Sequence, residues 1–139
     1  MADEECKSLW ENLKLGYTES QGHPLLLEEI RSIYKGIEIE DILEVIPEEG
    51  IYLSMRTLLN PTDHVICMRP IYQSLSQIAS QIGCKLTYWD FEPSGDLDLN
   101  RLAQLISPET KLVIVNFPHN PTGYLPDNSF FTKLISLLK

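Results

Sequence analysis

Residues 111–123 read Lys111-Leu112-Val113-Ile114-Val115-Asn116-Phe117-Pro118-His119-Asn120-Pro121-Thr122-Gly123, and the first seven of them decide the fold class. The run is almost continuously apolar and rich in β-branched residues, the pattern of a parallel strand covered by helices on both faces. Sheets of that kind bind ligands beyond the carboxyl ends of their strands, so the segment Pro118 to Gly123 is where function is expected. Its prolines and glycine stiffen a turn and leave one side-chain amide, that of Asn120, free to point at a ligand. The Asn120-Pro121 bond is a candidate cis peptide. Taken alone, the same residues also read as an ordinary strand-ending turn.

Outward from this strand the chain alternates short apolar runs with segments of helical period. Cys84 to Phe91 is a strand, followed by a turn at Pro93-Ser94-Gly95-Asp96 and a short helix carrying Leu97, Leu99, Leu102, Leu105 and Ile106, stopped at Ser107-Pro108. His64 to Met68 is a compact strand. After Pro70 comes a helix with Leu75, Ile78, Ala79 and Ile82 on one face and Gly83 at its end. Asp41 to Ile46 reads as a further strand, and Ile51, Tyr52, Met55, Leu58 and Leu59 form one helical stripe that Asn60-Pro61-Thr62-Asp63 terminates. A last helix is predicted from near Pro126-Asp127, with Phe130, Phe131, Leu134, Ile135, Leu137 and Leu138 to bury. Upstream, residues 16–22 are loop-like, and Leu25, Leu26, Ile30, Ile33 and Tyr34 make an amphipathic helix outside the alternation.

The 139 residues, 43% hydrophobic and 22% charged, suffice for one compact domain. No stretch approaches the roughly 20 apolar residues of a membrane helix. The acidic opening has no basic start or apolar block of a secretory signal, which makes the cytoplasm the expected location. Cys6, Cys67 and Cys84 form no CxxC pair, against a disulfide framework or a cysteine-built metal site. The net charge of -9 resides in residues 1–50, which hold 13 acidic and four basic side chains. That sign opposes a phosphate-tracking surface, so nucleic acid is not an expected partner. The acidic run Glu38, Glu40, Asp41, Glu44, Glu48 and Glu49 reads as a solvated face rather than a cation site.

Four motifs in order resemble the class I/II aminotransferases, enzymes of fold type I that use pyridoxal 5'-phosphate. Tyr17-x-x-Ser20-x-Gly22 with Pro24-x-Leu26 fits the family's N-terminal segment. Leu53 to Val65, with SMRTLLNPTDHV at its heart, fits the helix, turn and strand after the cofactor's phosphate loop. Pro70-x-Tyr72 fits the next motif, and TKLVIVNFPHNPTG, Thr110 to Gly123, fits the strand and turn that carry the family's Asn. The resemblance runs from Leu15 to Lys139. It implies part of a three-layer α/β/α large domain over residues 36–139, with the sheet incomplete in this chain, preceded by an N-terminal arm and helix over residues 1–35.

The resemblance also implies roles. Asn120 aligns with the Asn that hydrogen-bonds the phenolic oxygen of the cofactor ring, and Tyr72 with the aromatic that stacks on the ring and fixes its plane. Ile46, Pro47 and Glu48 align with the loop whose amides and helix N-terminus receive the cofactor phosphate. Here the chain departs from the common Ser-Gly-Ala type: Pro47 has no N–H, and Glu48 and Glu49 place negative charge near a dianion. Tyr17 aligns with a tyrosine that reaches the phosphate of a neighbouring subunit, implying a homodimer in the full-length form. Leu27 stands where an Arg is frequent. His23, His64 and His119 carry no assigned role.

The family's cofactor-bearing lysine, the Asp that pairs with the pyridinium nitrogen and the Arg that clamps the substrate carboxylate all lie downstream of the Asn-Pro-Thr-Gly turn. None of Lys7, Lys14, Lys35, Lys85, Lys111, Lys133 and Lys139 sits in a matching motif, so no catalytic residue is nominated. Strand 111–117 is expected to lack its lateral neighbours. The implied activity is transamination between an amino acid and a 2-oxo acid, with this chain bearing only part of the pocket and inactive by itself. The alternatives are a truncated or degenerate non-catalytic fragment, one half of a split enzyme, or an unrelated small α/β ligand-binding domain.

Overall fold

The computed structural model describes residues 3–17 and 19–139; Met1, Ala2 and Thr18 lie outside the described residues. The chain forms two compact units, residues 1–46 and 47–139. In the first, α1 (Glu4–Glu11) begins at Asp3, whose carboxylate accepts the Cys6 N–H at 2.8 Å, while α2 (Pro24–Ile33) starts with a proline at its first turn and buries Leu27. The acidic opening thus forms a helix that the hydrophobic pattern did not announce, because α1 buries none of its residues.

The strand expected over 41–46 does not form. Ile39–Asp41 is a single 3-10 turn, and residues 42–46 are irregular. Gln21 is the reason. Its side-chain amide donates to the carbonyls of Ile39 and Ile42 at 3.2 and 2.7 Å, and its own carbonyl accepts the Glu44 N–H at 2.8 Å. These backbone groups are satisfied by one side chain and one loop carbonyl rather than by a neighbouring strand.

The second unit runs α3 (Pro47–Leu58), β1 (His64–Arg69), α4 (Gln73–Ile82), β2 (Lys85–Asp90), α5 (Leu99–Leu105), β3 (Thr110–Ile114) and α6 (Asn128–Leu138). The three strands are parallel in the order β2-β1-β3. Central β1 is buried from His64 to Met68, and its alternation divides the core into two layers. Val65 and Cys67 pack with Met55, Leu59, Ala79 and Ile82 from the α3–α4 side. Ile66 and Met68 pack with Trp89, Leu97, Leu102 and Leu134, which include residues of α5 and α6. The α/β class with helices on both faces follows from this arrangement.

Two expectations about the decisive strand are corrected. First, β3 has a lateral neighbour: Leu112, Val113 and Ile114 stand opposite Val65, Ile66 and Cys67 of β1, leaving the far side of β3 as an edge. Second, the strand ends at Ile114 rather than running to residue 117. Beyond it the Asn116 N–H points to the Met68 sulfur at 3.0 Å, and Val115 is partly solvent-exposed. The apolar run is therefore longer than its paired part. In α6, only Leu134 is fully buried; Ile135, Leu137 and Leu138 stay exposed although the pattern marked them for burial.

At the amino end of the sheet, His64 bridges all three strands. Its Nδ1 lies 2.7 Å from the Thr110 hydroxyl and its Nε2 2.8 Å from that of Thr87. Burial pushes its pKa down from 6.5, with the nearby Lys85 acting in the same direction and Glu109 opposing.

Candidate functional site

The carboxyl end of the sheet holds two loops of interest. The β1 exit passes through Pro70 and Ile71 to Tyr72, the N-cap of α4, which makes no side-chain capping bond. An aromatic N-cap leaves the first-turn N–H groups without a side-chain acceptor and puts the ring at the rim of the sheet, 52% exposed. The β3 exit is the turn 118–123. Its backbone closes through Gly123 N–H to His119 C=O at 2.7 Å and His119 N–H to Tyr124 C=O at 2.8 Å, with Gly123 at φ +74°. Asn116 Oδ1 accepts the Asn120 N–H at 2.9 Å, which fixes the Asn120 backbone, while the Asn120 side chain stays at the exposed surface. The peptide bonds before Pro70, Pro118 and Pro121 are cis, so the Asn120-Pro121 candidate has that form.

The two loops are adjacent because β1 and β3 are adjacent, and one side chain joins them. His119 is 2% exposed, with Nε2 placed 2.7 Å from the Pro70 carbonyl and Nδ1 2.6 Å from the Thr122 hydroxyl. Its ring lies against Phe91, with centroids 4.8 Å apart. Sequence reasoning left this histidine without a role. A lone histidine in a turn carries no local mark of burial, and its partner Pro70 lies 49 residues away.

Tyr72 also lines a cleft of about 330 Å³ with Glu48, Gln73, Ser74, Gln77, Ile78 and Gln81. Within it, Ser74 Oγ donates to Glu48 Oε1 at 3.2 Å. Pro47 is the first residue of α3, where a missing N–H removes a group that has no intrahelical partner, so the helix forms undisturbed. Glu48 and Glu49 occupy its first turn. Of the candidate site residues, Tyr72, Glu48, Pro47 and Asn120 belong to the second unit, with Tyr72 and Glu48 sharing the cleft and Asn120 tied to the Tyr72 loop through His119. Ile46 and Tyr17 belong to the first unit, both as exposed side chains.

The cleft at this rim carries the Glu48 carboxylate, and the nearby cation is already paired. Arg69, at the carboxyl end of β1, is held by Asp90 through two bonds of 2.6 and 2.8 Å, and its guanidinium lies 4.8 Å from the Tyr88 ring centroid. The Asp90 carboxylate pushes the Arg69 pKa up, so the cation is committed to its partner. Tyr72 presents a half-exposed ring at this edge, and Asn120 an exposed side-chain amide. At the Glu48 end, the neutral donors Ser74, Gln73 and Gln77 stand beside a carboxylate. Among the described residues no cluster of His, Cys, Asp and Glu could hold a metal ion, and no helix is long and apolar enough to cross a membrane.

Comparison with known proteins gives the family. Residues 11–139 match the family model described as aminotransferase class I and II. The chain is 39% identical over 92 residues to the capreomycidine synthase of Streptomyces vinaceus, covering 65% of this chain and 24% of that protein. It is 31% identical over 134 residues to the aspartate aminotransferase of Sulfurisphaera tokodaii, covering 89% of this chain and 33% of that protein. Among solved structures, a PLP-dependent aminotransferase from Streptococcus suis superposes with a TM-score of 0.85 at 31% identity, covering 96% of this chain and 37% of that one. The chain thus spans between a quarter and about a third of the length of these curated relatives. With its parallel α/β sheet, its Pro70-x-Tyr72 and Asn120-Pro121-Thr122-Gly123 loops and this match over nearly its whole length, the chain belongs to the aminotransferase class I and II family.

Proposed function

We propose that this chain provides the ring-holding part of a pyridoxal 5'-phosphate site, in an enzyme that moves an amino group between an L-amino acid and a 2-oxo acid. The observation that carries the reading is the meeting of the Tyr72 and Asn120 loops at one carboxyl edge, on adjacent parallel strands joined by His119. In this reading the Tyr72 ring lies against the face of the pyridine ring and fixes its plane. The Asn120 side-chain N–H donates to the phenolic oxygen and favours its anionic form. The Glu48 amide in the first turn of α3 faces the phosphate, Pro47 before it has no N–H to give, and Ser74 and Gln73 add neutral donors. Glu48 weakens that end electrostatically. When bound, pyridoxal phosphate supplies an electron sink for the pair left when the substrate Cα proton departs.

Residues 36–139 are then the partial cofactor domain and residues 1–35 the arm and helix. The arm's Tyr17 serves the phosphate of a second subunit in a homodimer, in a cytoplasmic enzyme of amino-acid metabolism. The lysine that carries the cofactor comes from sequence outside these residues, and the chain alone is inactive. The test is equilibrium dialysis of pyridoxal phosphate against the chain and its Tyr72→Ala and Asn120→Ala variants. Each variant should bind roughly threefold to tenfold more weakly, the size of one lost stacking or hydrogen-bond contact. Equal binding by all three proteins would refute the site.

The outer side of β3 favours assembly with further polypeptide. There a cleft of about 360 Å³ is lined by Ile106, Leu112, Val113, Leu137 and Leu138 among others, beside a strand edge with no partner among the described residues. Further strands can come from a longer form of the same polypeptide or from a separate chain, as in a split enzyme. The intact mass of the protein from its source decides between them: a mass near three times that of these residues means one longer polypeptide. A mass of 15.9 kDa means a separate chain or a degenerate fragment.

A further inference from the structure

We infer that His119 is a positioning residue that sets the spacing between Tyr72 and Asn120; the inference rests on the reading of those two side chains as ring contacts. A carbonyl only accepts, so the 2.7 Å contact to Pro70 assigns the ring proton to Nε2. In the neutral ring Nδ1 is then the acceptor for the Thr122 hydroxyl at 2.6 Å, and the same oxygen accepts the Tyr124 N–H at 3.2 Å. The result is a chain of bonds with one direction: Tyr124 N–H to Thr122, Thr122 O–H to His119, His119 N–H to the Pro70 carbonyl. Every ring nitrogen is used, and Phe91 packs on the ring. The orientation of the imidazole is therefore over-determined.

The consequence lies at both ends. Pro70 is two residues before Tyr72, and Asn120 directly follows His119. Among the described residues, the His119–Pro70 bond is the hydrogen bond that joins residues 70–72 to residues 118–123. Strand pairing stops short of both loops, since the β1–β3 register ends at Cys67 and Ile114. The sheet brings the two loops together and the Asn116 contact to Met68 ties the foot of the β3 exit to β1, while the His119–Pro70 bond adds the direct tie between the loops themselves.

His119→Gln and His119→Asn separate the two bonds. Gln keeps a donor long enough to reach Pro70, whereas Asn keeps an acceptor for Thr122 and has no donor with that reach. Isotope-labelled chain is followed by NMR, with the amide resonances of paired β1 and β2 as the control for an intact fold. Without ligand, His119→Asn should move both the Tyr72 ring and the Asn120 side-chain amide resonances, and His119→Gln should return them towards wild type. On titration with pyridoxal phosphate, His119→Asn should bind roughly threefold to tenfold more weakly and His119→Gln within about twofold of wild type. Should His119→Asn fail to fold, Thr122→Val removes the hydroxyl that orients the ring and should give the same displacement. Unmoved Tyr72 resonances with unchanged affinity in the folded variant would overturn the inference. Wild-type Tyr72 and Asn120 resonances that ignore pyridoxal phosphate would instead overturn the site reading, and the inference with it.

Discussion

Leu102→Ala tests the two-layer core on which the site rests. Leu102 has no exposed surface and belongs, from α5, to the core cluster of Ile66, Met68, Trp89, Leu97 and Leu134. Leu to Ala removes the equivalent of three methylene groups, about 2.4 kcal/mol at ~0.8 kcal/mol each. The cavity left among Trp89 and Met68 adds to this, for a total of about 3–4 kcal/mol within the range found for buried leucines. For a unit of this size that loss lowers the Tm by roughly 12–30 °C. Urea unfolding followed by tryptophan fluorescence is suited to the measurement, because Trp89 is fully buried while Trp10 is 77% exposed and changes its surroundings little. Ile135→Ala serves as the control: its side chain is largely exposed on α6 and should cost no more than about 0.5 kcal/mol. A Leu102→Ala loss under about 1 kcal/mol would refute the packing of α5 on the sheet.

Acid should reveal His64. Its folded pKa is depressed, so its contribution is complete above the unfolded value of 6.5 and is lost as pH falls from there through the folded pKa. In urea melts between pH 7 and 5, the decline should shrink in His64→Gln, and an unchanged profile would show that the ring is not held neutral. Asp127 and Glu109 also have lowered pKa values, but their loss falls at lower pH, through and below the carboxylate range. Cys67 offers a second probe. Burial pushes its thiol up to about 11, so a thiol reagent should modify exposed Cys6 first, although the Asp3 carboxylate raises that thiol's pKa too, and Cys67 only as the unit unfolds. Labelling of Cys67 at the rate of Cys6, read by mass spectrometry, would contradict its place in the core.

The elements that could be read from the sequence are those whose signal is local. The period of α4 and its Gly83 cap, the compact β1, and the turn chemistry of Pro118 to Gly123 each lie within a dozen residues, and each corresponds to an element or turn of the structure. The family followed from the order and spacing of four such motifs. Residues 41–46 show the limit: their composition suits a strand, but only the fold brings Gln21 to those carbonyls. In α6 the apolar pattern overstates burial, since Ile135, Leu137 and Leu138 remain partly exposed. Tyr72 and Asn120 could be named from motifs that resemble a family, whereas the meeting of their loops could not, because it depends on β3 pairing with β1 across 45 or more residues of chain and on the His119–Pro70 bond. His119 marks the same boundary. Its identity and its turn are written in six consecutive residues, but its burial, its proton and its partner are settled by Pro70 and Phe91, which only the tertiary structure brings to it. Periodicity and turn chemistry are properties of neighbours along the chain, whereas the choice of hydrogen-bond partner is a property of neighbours in space.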